Sequence, residues 1–310
     1  MDELSVEQRG RAHVATLGTE ANRRADLAFL VLLAFIWGTS YLWIKISLRS
    51  FTPIQNTAGR LTLGALALLA YCLARRVRLP GDPRVWGHLV VLAVLLNVTP
   101  FFLFAYGETM VDSAVAGILN ATTPVFTALT AAAAGSERFN PSKLAGLALG
   151  FAGAALIFEP WHAASEVASV GGLACLAASA CYGVGFVYAS KFLGGRGLKP
   201  LALSASQLSA AAVIGLAVMA ASGAPAPEIR WDAFVALGIL GVVGTGAAYV
   251  INYRLIVNRG ASGAALVTYL IPVVAVAVGA VFLGDEVSLA MLAGTATVLA
   301  GVALVRRSKA

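Results

Sequence analysis

Ten apolar stretches follow one another along this chain, near residues 27–47, 57–75, 87–107, 113–134, 142–159, 168–190, 200–221, 232–253, 261–283 and 287–305. Each has about the length, roughly 20 residues, that an α-helix needs to cross the hydrocarbon core of a bilayer. The joining segments are short, which leaves almost no chain for a soluble domain. A composition of 59% hydrophobic and only 12% charged residues holds more apolar surface than a soluble fold can hide. The expectation is an all-α polytopic membrane protein with ten transmembrane helices. Its first helix follows "NRRADLAFLVLLAFIWGTSYLWIKI", which has the basic and apolar regions of a signal peptide. It is too long for one and lacks a small-residue cleavage site, so it is retained. Residues 1–25 are polar and mixed in charge, and read as a cytoplasmic tail.

A net charge of +7 and a pI of 9.6 would suit a nucleic-acid partner, but the positions of the charges point elsewhere. With the amino terminus in the cytoplasm, eighteen Lys and Arg fall in inside segments, and only Arg49 and Arg230 fall in outside loops. That is the positive-inside bias of a bacterial cytoplasmic-membrane protein, and it places both termini in the cytoplasm. The basic segments then meet anionic lipid, with no nucleic-acid partner and no evident obligate protein partner. Cys72, Cys175 and Cys181 lie in predicted helices without CxxC spacing, which fits small apolar packing. No metal site and no cofactor are expected.

The chain also repeats itself. Trp37-Gly38 answers to Tyr182-Gly183 and Tyr41 to Phe186; Pro53 answers to Pro200 and Arg60-Leu61 to Gln207-Leu208. Phe102 and Tyr106 answer to Tyr249 and Tyr253, Pro124 to Pro272, Gly146 to Gly294 and Gly153 to Gly301, with an offset of 145 to 148 residues throughout. This divides the chain into a first five-helix unit, 26–160, and a second, 166–307. Five is odd, so the second copy enters the membrane from the other side. Two inverted repeats around a central cavity are the plan of secondary transporters, with the solute near the midplane.

Pro124 and Pro272 fall at the middle of their stretches, where a proline leaves one carbonyl, at Asn120 and at Thr268, without its donor. Such a group must face protein or water, so both prolines read as bends that line a cavity. Pro100 has no counterpart, because Ala247 stands there.

The segments "FIWGTSYLWIKISL", "AGRL", "AVAGILNATTPVFTALTAAAAGSERFN", "LAGLALGFAGAALIF" and "GASGAALVTYLIPVVAVAVGAVFLGDEVSLAMLAGTATVLAGVALV" resemble the EamA family of the drug/metabolite transporter superfamily, over essentially residues 26 to 307. Within it the chain is most similar to the YddG-type amino-acid exporters. The resemblance implies ten helices in a basket-like bundle and export of amino acids or related metabolites. The family's acidic residue after the fourth and ninth helices matches Glu137 and either Asp285 or Glu286; its arginine early in the second helix matches Arg60, whose repeat mate is Gln207.

Trp37 and Tyr41 share one helix face, as do Tyr182 and Phe186 in the sixth helix. They are candidate aromatic walls for a flat or apolar solute, with Trp N–H or Tyr O–H available for its polar end; packing is the alternative. Tyr249 with Asn252, and Phe102 in the third helix, complete the candidate lining. Asn97 lies mid-helix and either bonds a neighbouring helix or meets the solute. Arg60 and Lys45 are the Lys and Arg residues that lie within the stretches away from their cytoplasmic ends. Lys45 can snorkel outward; Arg60 either binds a carboxylate or steadies a neighbouring helix. Glu108, Asp112 and Glu159 fall at the outer edge, and no Asp, Glu or His is central. That disfavours an intramembrane enzyme and a carboxylate proton relay. The expected function is a facilitative secondary transporter, working by alternating access, that exports amino acids, aromatic or bulky apolar ones favoured, and related metabolites. The alternatives are export of another metabolite or drug-like solute, or a nonselective pore or scramblase.

Overall fold

In the computed structural model, which describes residues 3–136, 140–278 and 288–307, the described residues form helices and turns and no strand. The helices are α1 (Glu3–Ser47), α2 (Pro53–Ala74), α3 (Pro83–Gly107), α4 (Ser113–Ala133), α5 (Pro141–Phe158), α6 (Val170–Leu193), α7 (Pro200–Ala221), α8 (Trp231–Ala265), α9 (Val267–Val278) and α10 (Leu289–Arg307). Eight of them, α1 from Ala25 and α2 to α8, are long and apolar enough to cross a bilayer. Apolar side chains such as Leu73, Val213 and Val235 stand exposed on their outer surfaces, as they must where lipid is the solvent. The polar segment before residue 25 is continuous with the first span: it holds no proline to stop a helix, and α1 begins at Glu3.

Helix starts follow local chemistry. Pro53, Pro83, Pro141 and Pro200 each occupy the first turn of a helix, where the missing N–H is no loss. Thr52 and Gln55 form a capping box, and Asp82, Asn140 and Ser169 accept bonds from the exposed amides behind them. These caps carry α2 and α3 about one turn beyond the starts that hydropathy indicates.

The interruptions are more telling than the starts. Helix α4 breaks at Ala121 and Thr122, and Pro124 lies in the first turn of its second segment, Thr123–Ala133. Pro124 therefore begins a helix instead of bending one. In the other half the chain breaks at Gly260, whose φ of 69° and ψ of 179° leave the helical region, and turns again at Leu266. Pro272 lies inside α9, six residues beyond that turn. Glu137, Asp285 and Glu286 lie outside the described residues. A π-turn, Val94–Val98, precedes Pro100 in α3, and a second, Val242–Ala247, occupies the matching part of α8 without a proline. Pro100 is thus not what makes the π-turn.

Contacts between the two halves come in reciprocal pairs. Arg60 bonds Thr245, and Gln207 bonds Asn97. A methyl added at Gly183 would lie 2.6 Å from Phe126, and one at Gly38 3.7 Å from Val274. Helices α5 and α10 cross through glycines: a methyl at Gly146 would lie 2.8 Å from the Gly301 carbonyl, and one at Gly294 2.7 Å from the Gly153 carbonyl. In each pair, both partners shift by the offset of the sequence repeat.

Candidate solute cavity

A cavity of about 50 Å³ lies between the halves. Helix α1 contributes Trp37, Ser40, Tyr41 and Ile44; α2 contributes Arg60; α3 contributes Leu96, Phe101 and Phe104. Asn120 stands at the break in α4, Tyr182 and Phe186 come from α6, Tyr249 and Asn252 from α8, and Thr268 from α9. The interrupted helices thus meet here.

Edge-to-face and stacked rings tile the walls. Trp37 meets Tyr249 at 6.3 Å between ring centres, and Tyr249 meets Phe101 at 6.3 Å; on the other side Phe104 joins Tyr41 and Tyr182, each at 5.9 Å. Two of the polar tips are already engaged. Trp37 Nε1 donates to the Gly244 carbonyl at 3.2 Å, and the Tyr249 hydroxyl donates to the Leu96 carbonyl. Both acceptors lie in the π-turns, whose wider winding displaces carbonyls from the helical ladder. Trp37 and Tyr249 consequently offer ring faces to the cavity, and their tips hold the π-turns.

Arg60 is buried, at 4% exposure. Its Nε donates to Thr245 Oγ1 at 3.1 Å, Thr245 passes a bond to the Leu240 carbonyl at 2.8 Å, and the guanidinium lies 3.8 Å over the Phe101 ring. None of the described carboxylates pairs with it. Asn252 is also buried, and its Oδ1 has no hydrogen-bond partner.

Other candidates lie outside this lining. Phe102 stacks on Tyr106 at 6.0 Å, and Phe101 takes the cavity position instead. The π-turn before them explains the difference, because an extra residue per turn rotates everything after it away from the α-helical register. Asn97 accepts from Gln207, which in turn accepts from the Tyr253 hydroxyl, so it belongs to a buried bridge between α3, α7 and α8. Pro100, Pro124 and Pro272 are buried but do not border the cavity. Ser40, Ile44, Leu96, Phe101 and Phe104 were not legible as lining; Ser40 and Ile44 carry a signal in hindsight, since they follow Trp37 and Tyr41 along the same face of α1.

Lys45 does more than reach outward. Its Nζ donates to the Glu108 and Val111 carbonyls at 3.1 and 3.2 Å and approaches Asp112 at 3.9 Å, tying α1 to the α3–α4 turn. Glu108 stands at the edge of its span as expected, yet it is only 1% exposed. Its Oε2 accepts from Ser113 at 2.9 Å, while Oε1 is buried without a partner. Burial pushes its carboxyl up from 4.5 to about 8, against the pull of Ser113, Lys45 and Arg60.

The model of the EamA-like transporter family matches this chain twice, over residues 25–159 and 169–307. The chain belongs to the EamA-like transporter family. Its relatives in that family include an uncharacterized transporter of Archaeoglobus fulgidus, 30% identical over 78% of this chain and 84% of that one. The uncharacterized transporter YoaV of Bacillus subtilis is 22% identical over 88% and 94%, and the uncharacterized inner membrane transporter YedA of Escherichia coli is 27% identical over 84% and 83%. A solved crystal structure, 23% identical, superposes with a TM-score of 0.72 over 92% of this chain and 98% of that one, which shows a shared fold. This EamA-like protein is therefore a multi-pass membrane transporter, and the cavity is its candidate solute site.

Proposed function

We propose that this protein exports amino acids and related small metabolites across the bacterial cytoplasmic membrane, as a facilitator of the YddG type with both termini inside. The observation that carries this reading is the central cavity, walled by aromatic rings from both halves and floored by one buried guanidinium. Aromatic faces suit flat or bulky apolar side chains. The reciprocal contacts support two inverted five-helix repeats, 26–160 and 166–307. When residue i meets the mate of j and j meets the mate of i, the copies sit about a pseudo-twofold axis. Two antiparallel copies around one site can exchange conformations, which is the basis of alternating access. Anionic lipid meets the basic end of the bundle.

Flux of radiolabelled amino acids through purified protein in liposomes tests this, with and without a pH gradient. Saturable, stereoselective flux of aromatic or bulky apolar amino acids is expected, persisting without the gradient. Trp37→Ala should alter preference among them while leaving membrane insertion intact. Equal, nonsaturable flux of both enantiomers would indicate a pore, and no flux of any amino acid would remove the substrate class.

A further inference from the structure

The cavity holds a cation that forms no ion pair with any of the described residues. Arg60 is buried on α2 between the Phe101 ring and Thr245. Of its five N–H groups, only the one on Nε has a hydrogen-bond acceptor among the described residues. The four on Nη1 and Nη2 have none, and no carboxylate among the described residues stands within ion-pair reach of them; Glu108 acts on the cation only from a longer distance. A cation in a low-dielectric site without a counter-charge is costly. The repeat mate Gln207 is neutral and fully bonded within its bridge, so the cationic pole is peculiar to the first half. Phe101 and Thr245 hold the guanidinium plane from one face and one edge, and a planar fork with its outer edge free fits a carboxylate through two parallel bonds.

We infer that Arg60 is the carboxylate subsite of the cavity, and that the solutes recognised there are small organic carboxylates, amino acids among them. This rests on the proposed solute cavity and deepens it: the rings select the side chain, and Arg60 fixes the acid end. A role confined to steadying α8 would need only the Nε bond to Thr245 and would leave the outer edge of the guanidinium without purpose. Asn252, buried in the same lining with Oδ1 unpartnered, supplies an acceptor of the kind an ammonium group needs.

Two arms test the inference separately from transport. In the first, the thermal midpoint of the detergent-solubilised full chain is measured with phenylacetate and with its neutral isostere phenylacetamide. The carboxylate should raise the midpoint in the wild type and not in Arg60→Gln, with Arg60→Lys retaining part of the shift; the amide should raise it in none. In the second, phenylalanine, its amide and phenethylamine compete for phenylalanine flux in liposomes. The acid should compete at least about tenfold better than either analogue, as expected for loss of charged hydrogen bonds. If Arg60→Gln does not fold, the acid-to-amide comparison on the wild type decides alone. Equal effects of acid and amide overturn the inference even where flux is robust. Absent flux with a carboxylate-specific thermal shift leaves the subsite standing and removes the amino-acid exporter instead.

Discussion

At the scale of single residues, Glu108 marks where sequence position and environment part company. Its place after α3 reads as an aqueous edge, but α1, the α3–α4 turn and α6 close around it. The groups facing it are Lys45 and Tyr41 from α1, Arg60 from α2, Ser113 at the start of α4, and Cys175 from α6. With the carboxyl raised to about 8, the folded protein holds this proton more tightly than the unfolded chain. The stabilisation is therefore complete below about 4.5 and is lost as pH rises through about 8. Thermal stability of the wild type should fall between pH 4.5 and about 8, and Glu108→Gln should flatten that slope; an unchanged slope in the variant would assign the titration to another group. Most aromatic lining residues were legible because Trp37, Tyr41, Tyr182 and Phe186 sit deep in their spans at one-turn spacing. The burial of Glu108 was not, since it depends on elements far apart in sequence.

At the scale of elements, the prolines and glycines were visible as irregularities, but their consequences were only partly so. Pro124 announced a break in α4 and misplaced it by a few residues, because a proline is most at ease in the first turn of a helix. The π-turns left no sequence mark that 3.6-residue periodicity can read, and they moved Phe101 into the place expected for Phe102. Small-residue faces, in contrast, translate directly into close helix contact. Helices α5 and α10 approach so tightly that a methyl at Gly153 would lie 2.6 Å from the Val298 amide nitrogen. Gly153→Val should therefore destabilise the protein by about 1–3 kcal/mol, read as a lower thermal midpoint in detergent. Gly87, with open space around it, is the control: Gly87→Ala should be neutral or stabilising by up to about 1 kcal/mol.

At the scale of the molecule, α1 is tied at both ends, and the cavity lies between the ties. At the basic end, buried Asp26 pairs with Arg259 at 2.9 Å and Arg254 at 3.5 Å and accepts from Asn258 at 3.1 Å, which binds α1 to α8. At the opposite end Lys45 holds the α3–α4 turn, and Arg49 pairs with Asp232 at 3.2 Å. The duplication and the apolar spans were legible from the sequence, but this closure was not, because hydropathy carries no information on which loop charges meet. The two ends are unequal. The half-buried Asp26 cluster is less screened by solvent than an exposed pair such as Arg49–Asp232, which contributes about 1 kcal/mol or less. Under the proposed alternating access these ties release one end at a time, so Asp26→Asn should bias the protein toward opening at its basic end. With Ser40→Cys as a cavity reporter in a chain whose native cysteines are replaced by alanine, Asp26→Asn should speed labelling by a membrane-impermeant maleimide applied from the basic side. Asp232→Asn should leave that rate unchanged. Equal rates in the Asp26 variant and its parent would mean that the ion-pair cluster fastens the helix ends without gating the cavity.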